Sequence, residues 1–220
     1  MYPLLSFCNT PNLKTDFVHL HTHSHYSLLS ALGSPGEIAK KAKEIGMKAC
    51  AITDTANMHS AAEFYMECKK QEIKSILGVQ AYLSPRSRFD KEPMDAKSFE
   101  VVLLAKNNTG YENLLCLMTE AHMNGFFHHP RIDWDLLQKH SKGLICLSGG
   151  LQGEIPQSII NGNTKEKTEE IIKRYQKVFG DDFYLELQRH PNEPNLDTAE
   201  KAIVEFGKEK NIPLVATNNS

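Results

Sequence analysis

The sequence lacks a charge surplus, long apolar runs and paired cysteine spacings, and each absence closes off a class of function. Lys and Arg total 25 against 27 Asp and Glu, so there is no overall basic face to hold nucleic acid by charge, and weak DNA binding is expected of this chain. No apolar run approaches the roughly 20 residues of a membrane helix. The opening "MYPLLSFCNTPNLKTD" has neither the basic start nor the long apolar centre of a secretory signal. The expectation is a soluble, cytoplasmic protein with no membrane partner. The five cysteines, Cys8, Cys50, Cys68, Cys116 and Cys146, are odd in number and scattered, with no CxxC pair. They read as reduced core thiols rather than as a disulfide frame.

What is present points to one α/β domain. A chain of 220 residues with 40% hydrophobic content can bury a substantial core. Seven short apolar, β-branched runs, at 17–21, 48–53, 75–83, 100–106, 143–148, 183–188 and 213–217, alternate with stretches of helical period. Ser34-Pro35-Gly36-Glu37 is a capping box with proline at the first helical position, opening a helix that Gly46 ends. Asn57 is expected to cap the next helix, whose apolar stripe runs through Ala61, Phe64, Tyr65 and Cys68. Further helices are expected over 108–124, 133–140, 152–161, 164–179 and 195–210. This alternation predicts a barrel-like parallel sheet, in which functional groups collect at the carboxyl ends of the strands. His21, His23, Asp54, Gln80, Arg189 and Asn218 fall near that rim.

The most unusual stretch is "HLHTHSHYSLLS", residues 19–30, with His19, His21, His23 and His25 at every second position. In an extended chain the four would share one face. Imidazole suits zinc, manganese or iron, so the row is half of a possible metal site, with the other ligands to come from elsewhere. Two further segments carry charge or aromatics. "SPRSRFDKEPMDAKS", 84–98, has no period and reads as a solvated surface loop near the rim, with Arg86, Arg88 and Lys91 the candidates for a phosphate contact. "GFFHHPRIDWDLL", 125–137, reads as a helix entry packed by Phe126, Phe127 and Trp134.

Taken with "ACAITDTANMHSAAEFYMECKKQEIKSILGVQAYLSP", "VVLLAKNNTGYENL", "GFFHHPRIDW", "GLICLSGGLQGEIP", "FYLELQRH" and "PLVATNNS", the histidine row resembles one family over about 200 residues, from Phe17 to Ser220. The family is the amino-terminal PHP (polymerase and histidinol phosphatase) domain of bacterial replicative DNA polymerase III alpha subunits. Stand-alone PHP phosphoesterases share the histidine motif, whereas "LAKNNTGYENL" and "LSGGLQGEIP" are similar to the polymerase branch. The resemblance implies a distorted seven-stranded (β/α) barrel whose last unit is truncated. It implies a PHP domain over 1–220, with a core at 16–220 and an N-terminal extension at 1–15, and palm, thumb and fingers domains absent from this fragment.

Active members of the family are understood to use a rim cluster of up to three metal ions, held by nine ligands, to hydrolyse phosphodiesters with metal-bound water. Transferred position by position, the resemblance keeps His21 and His23, and it replaces a histidine by Glu100, which still has ligand chemistry. It places Ser30, Thr55, Gln80, Gly150 and Asn219 where ionic or soft ligands are expected, and the ninth position falls just beyond Ser220. Neutral hydroxyl and amide groups do not offset the repulsion between clustered cations. His25, His59, His128, His129 and His190 fall at no ligand position. The expectation is therefore a remnant site on His21, His23 and Glu100, with no resident cofactor beyond one adventitious zinc or manganese. A domain with such a site is left with a structural and docking role. The implied partners are the polymerase body of the same chain, a proofreading exonuclease subunit, and DNA through the full polymerase. The alternative is an active metal-dependent 3′-5′ exonuclease or phosphoesterase.

Overall fold

Alternation of side chains along the strands decides what faces the inside of the sheet and what faces the helices. The computed structural model describes residues 17–189 and 196–219. In chain order the elements are α1 (Pro35–Glu44), β1 (Ala49–Ile52), α2 (Ala61–Lys70), β2 (Lys74–Leu83), β3 (Phe99–Ala105), α3 (Asn108–Met123), β4 (Arg131–Ile132) and α4 (Trp134–Lys139). They continue as β5 (Leu144–Leu147), α5 (Glu154–Ile160), α6 (Lys165–Phe179), β6 (Phe183–Gln188), α7 (Leu196–Lys210) and β7 (Leu214–Thr217). The strands form one curled sheet in the order β1-β2-β3-β5-β6-β7, with β4 beside the end of β2.

The sheet is mixed rather than parallel. β3 runs antiparallel to both β2 and β5, while β1-β2, β2-β4, β5-β6 and β6-β7 are parallel. The reason is the connection 84–98, which joins β2 to β3 without a crossover helix and so returns the chain in the opposite direction. Six of the seven expected strands are present, and the two-residue β4 is an addition. Residues 17–21 do not form a regular strand. Their segment lies beside β1 through Ala51 N–H to His19 O and Thr53 N–H to Thr22 O, both 2.8 Å. These bonds advance two residues along β1 and three along the incoming segment, so one extra residue disrupts the ladder there.

Period-two burial produces two apolar layers. Val79, Ala81, Leu83, Val101, Leu103, Leu144, Phe183 and Leu185 point outward against α3, α4, α6 and α7 and build the main core. Ala51, Val102, Leu104 and Leu147 point inward and make a smaller interior cluster with Leu20, Ile76, Tyr184 and Val215. At about 1.5–3 kcal/mol for each fully buried large aliphatic or aromatic side chain, the outer layer supplies most of the stabilisation.

Local chemistry sets the helix ends. Ser34 and Glu37 form the expected capping box ahead of α1, and Asn107, Asp133 and Thr164 accept from the first turns of α3, α4 and α6. Asn57 does not cap α2. It stands four residues before the helix and binds the rim loops instead, donating to Tyr26 O and Thr55 O. In α2 the buried stripe is Ala61, Phe64 and Cys68, and Tyr65 faces solvent. Of the cysteines, Cys50, Cys68 and Cys146 are buried free thiols, Cys116 is exposed rather than in the core, and Cys8 lies outside the described residues, as does the extension 1–15.

The 84–98 connection is the expected surface loop, with many of its side chains exposed, and it is also held in place by ion pairs. Arg86 donates to Asp95 at 2.6 and 2.8 Å and to Glu92 at 3.0 Å, and Arg88 donates from one nitrogen to both Asp133 oxygens at 3.0 Å. Arg131 is fully buried and gives its guanidinium to four backbone carbonyls, those of Gly125, Arg88, Asp90 and Asp95. Arg86 and Arg88 are thus engaged internally and do not present free cations. Phe126 is exposed, while Phe127 lies against Arg131, and Trp134 packs on Tyr175 and Arg174. Arg131→Met should cost about 3–5 kcal/mol, because it strands buried carbonyls that a charged donor now satisfies. Urea unfolding and limited proteolysis check this: cleavage should concentrate between residues 84 and 98, and an unchanged midpoint would rule the clamp out.

Candidate functional site

The inward parity that gives an apolar floor below gives a polar layer above, toward the carboxyl ends of the parallel strands. On β2 the sequence Ile76, Gly78, Gln80 climbs from floor to rim, and on β6 the sequence Tyr184, Glu186, Gln188 does the same. Their polar ends meet His21, which the extra residue beside β1 turns inward. His21 is 1% exposed. Its Nδ1 lies 2.9 Å from both Glu186 Oε1 and Gln188 Nε2, and its Nε2 lies 2.8 Å from Gln80 Oε1. Glu186 Oε1 also accepts from Gln188 at 2.8 Å and from the Thr217 hydroxyl.

The electrostatics follow from burial and pairing. Burial opposes the charge on His21, but the hydrogen bond and charge of Glu186 outweigh it and hold the ring above its ordinary value. Burial likewise pushes the Glu186 carboxyl up, and the bond and charge of His21, with help from Thr217 and Gln188, bring it below the usual carboxylate range. The close approach of His21 and Glu186 thus favours the charged form of each partner against the burial that opposes it. His23 stands beside His21, ring centroids 5.2 Å apart. Burial first, and the neighbouring His21 second, lower His23 to about 4, so this ring is neutral. Its Nδ1 lies 3.1 Å from Ser27 Oγ and 3.4 Å from Thr55 Oγ1. Glu100 is pushed up by burial, and Gln80 reaches its carboxyl as well as His21.

The positions where family ligands are expected are filled by neutral groups in place. Gln80 caps the Nε2 of His21. Gly150 has no side chain, and Gln188 takes its room: a Cβ at Gly150 would lie 2.1 Å from Gln188 Oε1. Thr55 and Asn219 hydrogen-bond to His23, and Ser30 is exposed on the rim turn. Among the described residues, no three His, Cys, Asp or Glu side chains converge in a way that could hold a metal ion. His21 and His23 are therefore together, and Gln80 reaches Glu100 as well as the two rings.

Asp54 is the second centre of the rim. Its carboxylate accepts from Ser24 N–H at 2.7 Å, Ser24 Oγ at 2.8 Å, Ser27 Oγ at 2.6 Å and the Ser60 hydroxyl. These bonds fold residues 24–30 into a turn and place His23. Of the other expected rim residues, Arg189 and Asn218 line a groove along α7, outside the polar layer. The histidine row does not share one face: His19 is half-buried, and His25 is exposed against Tyr26. His59 and His128 lie outside this network, His129 packs on Tyr82, and His190 lies outside the described residues.

Glu186, Gln188 and Thr217 went unassigned by sequence reasoning. Their signal was available: a glutamate in an otherwise apolar strand, at the same parity as Gln188, is a buried charge that needs a partner. Replacing His21 by Leu, or Glu186 by Leu, leaves the other partner buried and alone, so each single substitution should cost about 3–5 kcal/mol. His21→Leu/Glu186→Leu together should cost less than the sum, with a coupling of about 1–3 kcal/mol by urea unfolding. Strict additivity would mean that the pair is not formed.

Comparison with known proteins agrees with this architecture. The PHP domain family matches residues 19–190. DNA polymerase III subunit alpha of Borreliella burgdorferi is 42% identical over 211 residues, which is 95% of this chain and 18% of that protein. The subunit of Treponema pallidum is 39% identical, and that of Aquifex aeolicus 38%, each over 94% of this chain and 18% of theirs. The chain thus spans less than a fifth of the relatives it matches. Among solved structures, a protein described as a metal-dependent phosphoesterase from Bifidobacterium adolescentis superposes with a TM-score of 0.58 at 10% identity, covering 92% of this chain and 86% of its own. An amidohydrolase from Chromobacterium violaceum superposes at 0.56 and 14% identity, over 92% of this chain and 86% of its own. At such identities the likeness is one of fold, a distorted (β/α) barrel. With the family matched from the histidine row to the end of β6, the chain belongs to the PHP domain family.

Proposed function

We propose that this chain is the PHP domain of a bacterial replicative polymerase alpha subunit, with a core at 16–220, in which the metal site has been given up and the domain serves as structure and docking platform. The observation that carries this reading is the pair of glutamines: Gln80 on His21 Nε2 and Gln188 in the room beside Gly150. A divalent cluster needs neutral imidazoles with free lone pairs and charged or soft ligands around them. A histidine already bonded to a carboxylate and capped by an amide, a second amide, a threonine and an asparagine do not fit it.

The docking role has its own support. Leu28, Leu29 and Leu32 are 82%, 108% and 97% exposed on the rim turn that the Asp54 network holds, and Leu29 has a φ of +65°. Three fully exposed leucines on an ordered turn are the kind of patch that marks a protein contact. On this reading the contacts are with the polymerase body of the same chain and with a proofreading exonuclease subunit, in a cytoplasmic replication assembly, and DNA is held mainly by other domains. Among the described residues no helix is long and apolar enough to cross a membrane.

The alternative, an active metal-dependent 3′-5′ exonuclease or phosphoesterase, has one observation in its favour, the survival of His21, His23 and Glu100 around one interior. Elemental analysis decides between them. Dialysed protein should hold less than about one metal ion per chain and show no manganese-dependent nuclease activity. Two or more equivalents, with activity lost in His21→Ala, would establish the alternative. Docking is tested separately by pull-down with the cognate exonuclease subunit. The complex should form equally with and without EDTA and survive His23→Ala, and a complex that the chelator dissolves would refute the metal-free platform.

A further inference from the structure

The interior of the curled sheet is sealed at the rim by the polar network and open at the opposite end. There, a cavity of about 360 Å³ is lined by Leu20, Ile76, Ile145, Tyr184 and Val215. These five side chains come from five separate segments of the sheet, yet each stays only half-buried, whereas Val102 and Leu147, nearer the rim, are closed. Apolar groups that converge inside a fold and remain open to a cavity of this size are the lining of a small-molecule site.

The edge of the cavity selects the charge of its guest. Because β3 runs antiparallel to β2, Lys74 at the start of β2 and Lys106 just past the end of β3 stand at the same end, with Ser75 beside them. Lys106 is already paired with Asp182 at 2.7 Å, and Tyr184 stands close enough to act on its charge. Lys74 is exposed and makes no ion pair among the described residues. One cation is left over, which suits a single negative charge rather than the nearly doubled charge of a phosphate monoester. The lining below the edge has almost nothing to hydrogen-bond, so the body of the guest is hydrocarbon.

We propose that the open end of the sheet binds a medium-chain fatty acid, with its hydrocarbon chain among Leu20, Ile76, Ile145 and Val215 and its carboxylate on Lys74. A volume of about 360 Å³ lies near the lower limit for ligand pockets, which favours a medium chain over a long one. The site is at the opposite end of the interior from His21 and His23, so it does not depend on whether they hold a metal.

Calorimetric titration of the full chain with decanoate, kept below its micelle concentration, should show saturable binding of one molecule per chain. Lys74→Glu, a change on the surface, should weaken it roughly tenfold, through one lost attraction and one gained repulsion at a partly solvated site, and leave decanol binding unchanged. Val215→Trp should fill the cavity from β7 and abolish the binding of both. No saturable binding, several equivalents per chain, or an affinity for decanoate that Lys74→Glu leaves unaltered would overturn the proposal. So would decanoate binding that survives Val215→Trp in a folded chain, or decyl phosphate binding more tightly than decanoate.

Discussion

A carboxylate on the inner wall of a sheet must be neutralised where it stands, and Glu186 sets this requirement for the whole interior. Desolvating it alone would cost several kcal/mol, and His21 meets the cost from a position 165 residues earlier in the chain. The pair therefore ties the incoming segment beside β1 to β6 near the far edge of the sheet, and Thr217 extends the tie to β7. This is why residues 17–22 carry an extra residue. A regular strand would keep the alternation of the histidine row, whereas the interruption lets His21 turn in and His25 turn out.

Two other buried charges near the rim, Asp54 and Arg131, obey the same rule with different partners. Asp54 is saturated by serine hydroxyls and one backbone N–H, and Arg131 by backbone carbonyls. Each organises irregular chain that has no ladder of its own: Asp54 the turn after the histidine row, Arg131 the connection that reverses β3. The outer core then needs only the ordinary pairing of strand and helix. The consequence is a division of labour in which helices and the outward strand faces make the domain stable, and three charged centres shape its upper end.

The fold was legible where period alone decides it. The runs at 48–53, 75–83, 100–106, 143–148, 183–188 and 213–217 are strands because their apolar residues have two packed layers to enter, and Ser34 with Glu37 caps α1 because both halves of the reciprocal bond are local. Strand direction was not legible, since an 84–98 connection without a helix looks from sequence like any charged loop, and only Arg131 and Asp133, well downstream, fix it. The site was half legible. The family resemblance drew attention to Gln80 and Gly150, but what fills the room at Gly150 comes from Gln188, which no local pattern reveals. Asn57 illustrates the same limit: its residue type suits a helix cap, and the rim turn competes for it successfully.

On the proposed reading, an amide at position 80 does more than remove a ligand. Gln80 keeps the shape of a glutamate but removes a negative charge from a space that already holds Glu100 and Glu186. Three carboxylates there would repel one another and require cations from outside. With two, burial pushes Glu100 toward its neutral form, and pairing with His21 offsets the burial of Glu186. The remaining carboxylates then find their partners among the protein's own groups. On the proposed reading, this explains how the domain keeps its fold without metal: the substitution that weakens the metal site is also the one that makes the remaining charges self-sufficient, leaving its outer surfaces to carry its role.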